Sequence, residues 1–327
     1  MPSVREHGTF TYIKTKIMEN RIVGIHHITA IAGNAKRNHD FYTKTLGLRL
    51  VKKTVNFDDP GTYHFYFGDE MGTPGTILTF FPWEGIQKGK QGTGMATDIG
   101  YSVPADSLSF WKERFNRHNV PVTAEGKRFG EEFISITDPD GLPLTFIVPS
   151  TPDPRKPWKT SEISREGIRG FHSISLSLRK MESTARILTD LFGYTLQGNE
   201  GNRYRFKTDA VDTASIVDLI EDTQSGSAVN AGGTIHHVAF RVKDEETQMA
   251  FRKRIEDYGL NITEKIDRNY FFSLYFREPG GVLFEIATDN PGFAIDEEVA
   301  DLGTNLKLPA QYENYRERIQ QVLPVLD

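Results

Sequence analysis

The chain reads Gly24-Ile25-His26-His27-Ile28-Thr29 near its start and Thr234-Ile235-His236-His237-Val238-Ala239 in its last third. In both stretches a histidine pair opens a run of apolar and β-branched residues, which predicts a β-strand. Glu285 lies in a third apolar run, Val282–Ala287, where a carboxylate needs a partner or a metal. Two imidazoles and one carboxylate on strands are the donor set of a non-haem Fe(II) site.

The two histidines of each pair cannot be equivalent, because neighbouring side chains of a strand point to opposite faces. We therefore expect one metal ligand from each pair. A strand histidine is more often a hydrogen-bonded core residue, and Glu285 can instead form an ion pair with Arg268 or Arg277. The repetition of the pair, together with a glutamate in an apolar strand, favours the metal site.

Composition limits the classes of function. The 327 residues suffice for two ordinary domains, and 38% apolar and 25% charged residues are typical of a soluble globular protein. A net charge of −5 gives no reason to expect nucleic acid or an anionic membrane as partner. Cysteine is absent, which excludes disulfides, thiolate nucleophiles and Cys-ligated metal sites.

The N-terminal segment and the lack of a long apolar run predict a cytoplasmic protein. No apolar run approaches the roughly 20 residues that span a bilayer. The segment before Met18 is polar and basic and has no apolar core, so we do not interpret it as a secretory signal. We treat residues 1–20 as an N-terminal extension.

An internal repeat organises the rest of the chain. A strand, a helix that ends at a glycine and a group of strands recur four times, with Gly47, Gly193 and Gly259 as helix-ending residues. The second helix is expected to begin at Asp106. In modules two to four the pattern gives ranges for only two strands after the helix. We predict an α+β fold of four βαβββ modules that pair into two curved-sheet half-barrels with helices outside.

The modules differ at the positions of the proposed ligands. At the histidine position, module two has a residue near Ser102 and module three has Ser173. At the glutamate position, module two has Thr145 and module one has Thr79 or Phe80. One complete ligand set therefore exists, divided between modules one and four.

At this point the chain resembles the vicinal oxygen chelate superfamily (glyoxalase, bleomycin resistance and extradiol dioxygenase proteins), and within it the ring-cleaving hydroquinone dioxygenases. The resemblance extends from about Arg21 to Arg316. Its most specific parts are Gly24–Thr29, Thr234–Phe240, the stretch from Arg268 to Glu285 and the tail 302–313. It implies that the metal is held by His27, His237 and Glu285. It also implies that the surrounding residues are His26, Thr29, His236, Arg268 and Tyr275.

The resemblance further implies that modules one and four pair around the metal. We place modules one and two at residues 21–150, a linker at 151–165, modules three and four at 166–290 and a C-terminal tail at 291–327. Most extradiol enzymes of this superfamily take all three ligands from the last two modules. That arrangement is excluded here, because Ser173 occupies the ligand position of module three.

Each surrounding residue receives an expected role. His236 is the candidate acid/base, because an imidazole titrates near neutral pH. Tyr275 would hydrogen-bond the substrate, and Arg268 would stabilise developing negative charge. His26 and Thr29 would line or orient the site.

These roles have structural alternatives. Arg268 can pair with Asp267 or Glu264 at the surface, and Tyr275 can be a core residue. His64 is expected to be structural, although it could reach a cavity, and Phe293 could border the pocket.

The expected function is ring cleavage of a hydroquinone or catechol-like aromatic with O2, using Fe(II) or Mn(II). Homo-oligomers are possible. One alternative is a glyoxalase-type isomerase, which needs a second carboxylate where Thr79 or Phe80 stands. The other is a non-enzymatic drug-sequestering protein, which has no need of the His/His/Glu set.

Overall fold

The structure, a computed structural model, describes residues 21–326. It contains four modules, each a strand followed by a helix and three further strands. The predicted α+β fold is confirmed. Our interpretation of residues 1–20 lies outside the described part of the chain, and the boundaries assigned to modules, linker and tail stay predictions.

The first two modules are built in the same order. Module one contains β1 (Ile25–Ala32), α1 (Ala35–Asp40), β2 (Arg49–Val55), β3 (Tyr63–Gly68) and β4 (Ile77–Pro82). Module two contains β5 (Met95–Ser102), α2 (Leu108–Arg117), β6 (Ala124–Arg128), β7 (Glu131–Thr137) and β8 (Pro143–Ile147).

The last two modules repeat that order. Module three contains β9 (Gly170–Leu178), α3 (Glu182–Arg186), β10 (Thr195–Glu200), β11 (Arg203–Lys207) and β12 (Ile216–Glu221). Module four contains β13 (Thr234–Val242), α4 (Glu245–Asp257), β14 (Ile266–Asp267), β15 (Phe271–Arg277) and β16 (Leu283–Pro291). One π-helical turn extends α1 through Phe41–Thr45 and another extends α3 through Ile187–Leu191.

The strands form two eight-stranded sheets of equivalent topology. The first half-barrel combines modules one and four in the order β14-β15-β16-β13-β1-β4-β3-β2. The second half-barrel combines modules two and three in the order β10-β11-β12-β9-β5-β8-β7-β6. Antiparallel pairing of β1 with β13 sets Thr29 opposite His237, so both histidine pairs lie at the centre of the first half-barrel.

Strands β6, β10 and β14 had no assigned range in the sequence interpretation. Each is the terminal strand of a sheet, and β6 and β10 are almost entirely exposed. Edge strands bury little apolar surface, so they carry no alternating pattern that sequence could reveal.

Glycines end three helices as predicted. Gly47, Gly193 and Gly259 have φ of 68°, 75° and 89°, the left-handed conformation that glycine adopts at no steric cost. The prediction that Asp106 caps α2 is wrong. Asp106 itself has a left-handed φ of 62°, and Ser107 precedes the helix without a side-chain capping bond.

The register corrects one sequence alignment. Gly100 lies opposite Ser173 in the second half-barrel, as Thr29 lies opposite His237 in the first. The residue that corresponds to His27 is therefore Asp98, and not a residue near Ser102. The error arose because β5 starts at Met95, several residues before the apolar stretch that marked it in the sequence.

Two buried carboxylates, each in a turn before the last strand of its module, accept hydrogen bonds from a neighbouring module. The two modules in each case are adjacent in sequence but belong to different sheets. Tyr42 of module one donates a hydrogen bond to Asp138 of module two (3.2 Å). Thr184 of module three donates to Glu278 of module four (2.6 Å). Both carboxylates also accept backbone N–H groups of their own turns, so these contacts join the half-barrels at two equivalent places.

The segment after β16 packs along module one. The buried Lys52 ammonium contacts Asp296 (2.6 Å) and Glu297 (2.5 Å), and Tyr312 donates to the Phe57 carbonyl oxygen (2.6 Å). The last contact holds the loop that follows β2. Among the described residues, no helix is long and apolar enough to cross a membrane.

We predict that Asp138 makes the stability of the fold depend on pH. Burial raises its pKa to about 6, so between about pH 4 and pH 6 the folded state holds a proton that the unfolded chain has lost. Stability therefore falls as pH rises through this window, by about 3 kcal/mol in total. Asp138→Asn should remove this component, because its amide resembles the neutral acid.

Urea unfolding of both proteins at several pH values between about 4 and 8 measures the effect. Asp257→Asn on the exposed side of α4 is the matched control and should follow the parent protein. Parallel stability curves for Asp138→Asn and the parent would contradict the prediction.

Candidate metal centre

Three side chains from three adjacent strands converge at the centre of the first half-barrel. The Nε2 atoms of His27 and His237 lie 3.3 Å apart. Glu285 Oε2 lies 3.2 Å from His27 Nε2 and 2.9 Å from His237 Nε2. The strand order β1-β13-β16 and its register produce this convergence, since Glu285 lies beside Ala239, two residues after His237.

The arrangement fits a divalent metal. Glu285 is fully buried, and its Oε2 makes no hydrogen bond despite the two nearby imidazoles. The other oxygen, Oε1, accepts a 2.5 Å hydrogen bond from Ser273. Burial opposes ionisation of the carboxylate, but the two imidazoles hold the pKa of Glu285 well below its usual range. A charged oxygen and two imidazole nitrogens directed at one point are the donor set of a 2-His-1-carboxylate site.

The first histidine of each pair, His26 or His236, orients the second, which is the proposed ligand. His26 Nδ1 lies 2.9 Å from His27 Nδ1, and His236 Nδ1 lies 2.8 Å from His237 Nδ1. If Nε2 of His27 and His237 offers its lone pair to a metal, each must carry its proton on Nδ1 and donate it to the neighbour. Burial lowers the pKa of His26 well below its usual range and that of His236 to about 3, so both are neutral acceptors.

A cavity of about 360 Å³ opens onto the triad. Its volume suits a small molecule. It is lined by His27, Thr29, Asn56, Phe57, Asp58, His64, Tyr66, Phe81, Trp83, His236, His237, Arg268, Phe271, Tyr275 and Leu283. Of the predicted surrounding residues, His26 is the one that does not line the cavity; it lies behind His27.

Arg268 and Tyr275 form one wall of the cavity. The Arg268 guanidinium lies 5.5 Å from the centre of the Tyr275 ring, and Nη1 is 3.9 Å from Asp58. The alternative pairing with Glu264 is not formed, because Glu264 contacts Arg252. Burial raises the pKa of the Tyr275 phenol, so it stays protonated and able to donate.

Several cavity residues were not predicted. Asn56, Phe57 and Asp58 come from the loop after β2, and Trp83 follows β4, so only the folded chain brings them to the rim. His64 was interpreted as structural, yet it lines the cavity beside Thr29. Phe293, expected at the border, is instead buried against Tyr270 with ring centres 5.0 Å apart.

The equivalent position in the second half-barrel is filled by ion pairs. Asp218, which corresponds to Glu285 in the register, accepts hydrogen bonds from Arg205 (2.9 Å) and Arg203 (3.2 Å). Asp98, which corresponds to His27, lies 3.4 Å from Arg128. Guanidinium groups therefore balance this buried charge. Within residues 21–326, His27, His237 and Glu285 form the one group with metal-binding geometry.

Comparisons with known proteins identify the family. The model of the Glyoxalase/Bleomycin resistance protein/Dioxygenase superfamily matches residues 24–146 and 170–286. A Bacillus subtilis (strain 168) protein named "Putative ring-cleaving dioxygenase MhqO" is 45% identical over 307 residues, which cover 94% of this chain and 97% of that protein.

Two further proteins are similar along nearly their whole length. The "Chlorohydroquinone/hydroquinone 1,2-dioxygenase" of Sphingobium indicum is 34% identical over 94% of this chain and 97% of its own. A crystal structure described as a "putative dioxygenase" from Bacillus subtilis has a TM-score of 0.90 and 42% identity, covering 94% of this chain and 98% of that one. The chain therefore belongs to the Glyoxalase/Bleomycin resistance protein/Dioxygenase superfamily.

Proposed function

We propose that the protein is a metal-dependent ring-cleaving dioxygenase that acts on a hydroquinone-type aromatic with O2. The observation that carries the proposal is the convergence of His27, His237 and Glu285 on a cavity with aromatic walls. The names of the two relatives above and their coverage of the chain support the same activity.

We propose Fe(II) as the metal, with Mn(II) as the alternative that the same donor set accepts. Bound Fe(II) would supply the redox chemistry that allows O2 to react with an aromatic diol. The single carboxylate, Glu285, leaves a divalent metal with one uncompensated positive charge. That charge favours a substrate with one deprotonated ring hydroxyl.

The residues of the chain hold and orient the substrate. Phe81, Trp83 and Phe271 provide aromatic faces for a ring. Arg268 stabilises negative charge on a ring oxygen, and the protonated Tyr275 donates a hydrogen bond to it. Thr29 offers a hydroxyl on the face of β1 that carries His27.

His26 and His236 fix the tautomer and ring orientation of His27 and His237. His236 also lines the cavity, where its second ring nitrogen can contact substrate. An acid/base role for His236 stays a prediction, as do a cytoplasmic location, a homo-oligomeric state and the absence of nucleic-acid or membrane partners.

The glyoxalase-type alternative is less well supported by the site. Thr79, rather than a carboxylate, corresponds to Glu285 in module one, and its hydroxyl is hydrogen-bonded to Thr29 and His64. The drug-sequestering alternative does not account for a fully buried carboxylate that faces two imidazoles.

Removal of any one ligand should abolish metal binding. Loss of residues that merely orient ligands weakens metal affinity by 10- to 100-fold, so His27→Ala, His237→Ala and Glu285→Gln should each lose at least about 100-fold. Anaerobic reconstitution with Fe(II) and measurement of the iron-to-protein ratio check this. Metal should also raise the Tm of the parent protein but not of the variants.

His172→Gln is the matched control, because His172 occupies the position of His236 in the second half-barrel, and it should retain the iron. Unchanged iron content in all three ligand variants would contradict the site assignment.

The reconstituted protein should consume O2 when a hydroquinone is added. We expect one O2 per ring opened, with loss of the aromatic absorbance, measured by oxygen electrode and spectroscopy over a panel of hydroquinones and catechols. Anaerobic isomerisation of the glutathione–methylglyoxal adduct is the parallel assay. Full metal loading without O2 consumption on any diol would disprove the dioxygenase proposal, and isomerisation in the parallel assay would favour the alternative.

A further inference from the structure

Four hydroxyl and imidazole groups form a continuous hydrogen-bonded chain beside the proposed metal centre. Tyr66 Oη lies 3.0 Å from His64 Nδ1, and His64 Nε2 lies 2.9 Å from Thr79 Oγ1. Thr79 Oγ1 in turn lies 2.8 Å from Thr29 Oγ1. Thr29, Thr79 and Tyr66 are buried, and His64 is half-buried.

The two ends of this chain face the same space. Tyr66 and Thr29 both line the cavity, as does His64, whereas Thr79 lies behind the wall. Within residues 21–326 the hydroxyls of Tyr66 and Thr29 have no other hydrogen-bond partner in the structure. Both terminal hydroxyls are therefore placed to hydrogen-bond a ligand in the cavity.

The number of protons in the chain shows that the hydroxyl at one end, Tyr66 or Thr29, has an O–H that is not used within the chain. Burial lowers the pKa of His64 well below its usual range and raises that of Tyr66 well above, so the imidazole is neutral and the phenol is protonated. The four groups then carry four protons for three mutual hydrogen bonds. A neutral imidazole donates from one nitrogen and accepts at the other, which gives the chain a single direction.

The direction is set by which group is the better donor. A phenol is far more acidic than an aliphatic hydroxyl, so Tyr66 donates to His64 Nδ1 more readily than it accepts. His64 Nε2–H then donates to Thr79, and Thr79 donates to Thr29. The spare proton is left on the Thr29 hydroxyl, two residues after His27 on the same strand face.

The second half-barrel lacks this chain. In the matching register, Phe133 stands in place of His64, Ser135 in place of Tyr66 and Gly100 in place of Thr29. Thr145, the counterpart of Thr79, donates instead to the Asp98 carboxylate (2.7 Å). The hydrogen-bonded chain thus occurs in the half-barrel that has the His/His/Glu group.

We infer that Tyr66, His64 and Thr79 form a hydrogen-bonded relay that leaves the Thr29 O–H directed into the cavity. There the Thr29 hydroxyl donates a hydrogen bond to a ring oxygen of the aromatic substrate. His64 and Thr79 are positioning residues in this scheme, because they act through Thr29. The substrate part of the inference rests on the proposed function, but the direction of the relay does not.

Nitrogen-15 NMR of the histidine side chains tests the direction. The sample is the full-length protein loaded with diamagnetic Zn²⁺, and His64→Gln identifies the His64 signals. We expect His64 as the Nε2–H tautomer, with a shift of its Nδ1 signal in Tyr66→Phe. The Nδ1–H tautomer would overturn the inference, because the spare proton would then reside on Tyr66.

Thr79→Val and Thr79→Ser test the effect on the reaction. Thr79 does not line the cavity, so valine interrupts the relay without changing a substrate contact, and serine preserves the hydroxyl. We expect Thr79→Val to lower kcat/KM for a hydroquinone about tenfold and Thr79→Ser to stay within about twofold of the parent.

Equal kinetics for the two variants, with equal thermal stability, would overturn the role of the relay in positioning. If the parent protein itself consumes no O2, the proposed function fails, and the tautomer measurement still decides the direction of the relay.

Discussion

The first half-barrel is organised around one buried negative charge. Glu285 is fully buried on a central strand, with one oxygen satisfied by Ser273 and the other facing His27 and His237. An uncompensated carboxylate in such a place is strongly unfavourable, so the strand register, the paired histidines and a bound cation have to act together. The cavity, the aromatic walls and Arg268 are arranged around that compensated charge.

The two half-barrels neutralise the same position in different ways. In the first, the carboxylate faces two imidazoles whose lone pairs can accept a metal. In the second, Asp218 is neutralised by Arg203 and Arg205, which are part of the protein itself. A guanidinium group fills its site permanently and cannot bind a ligand there. A metal held by three side chains, in contrast, has coordination positions left for other ligands. Within the described part of the chain, the repeat therefore has one candidate metal centre, and the equivalent carboxylate position of the second half-barrel is closed by ion pairs.

The sequence predicted the parts of the molecule that depend on strong local patterns. Apolar strands, glycine helix ends and the repeated histidine pairs were recognisable, and the predicted fold is confirmed. Edge strands such as β6 and β10 were missed because they bury little. His64 was undervalued because its role depends on Thr79 and Tyr66, which approach it only through sheet pairing. The correspondence between Asp98 and His27 could not be predicted, because it follows from the register between paired strands and not from the sequence of one strand.

The pairing of β1 with β13 has a consequence for the order in which the molecule can assemble during synthesis. Strands β5 to β12 are contiguous, so the second half-barrel can close as soon as they leave the ribosome. The buried strand β1 must wait for β13, roughly 200 residues and about 10–40 s later at usual translation rates. Until then a hydrophobic sheet edge is open to chaperones, and no nascent chain can capture a metal before it is nearly complete.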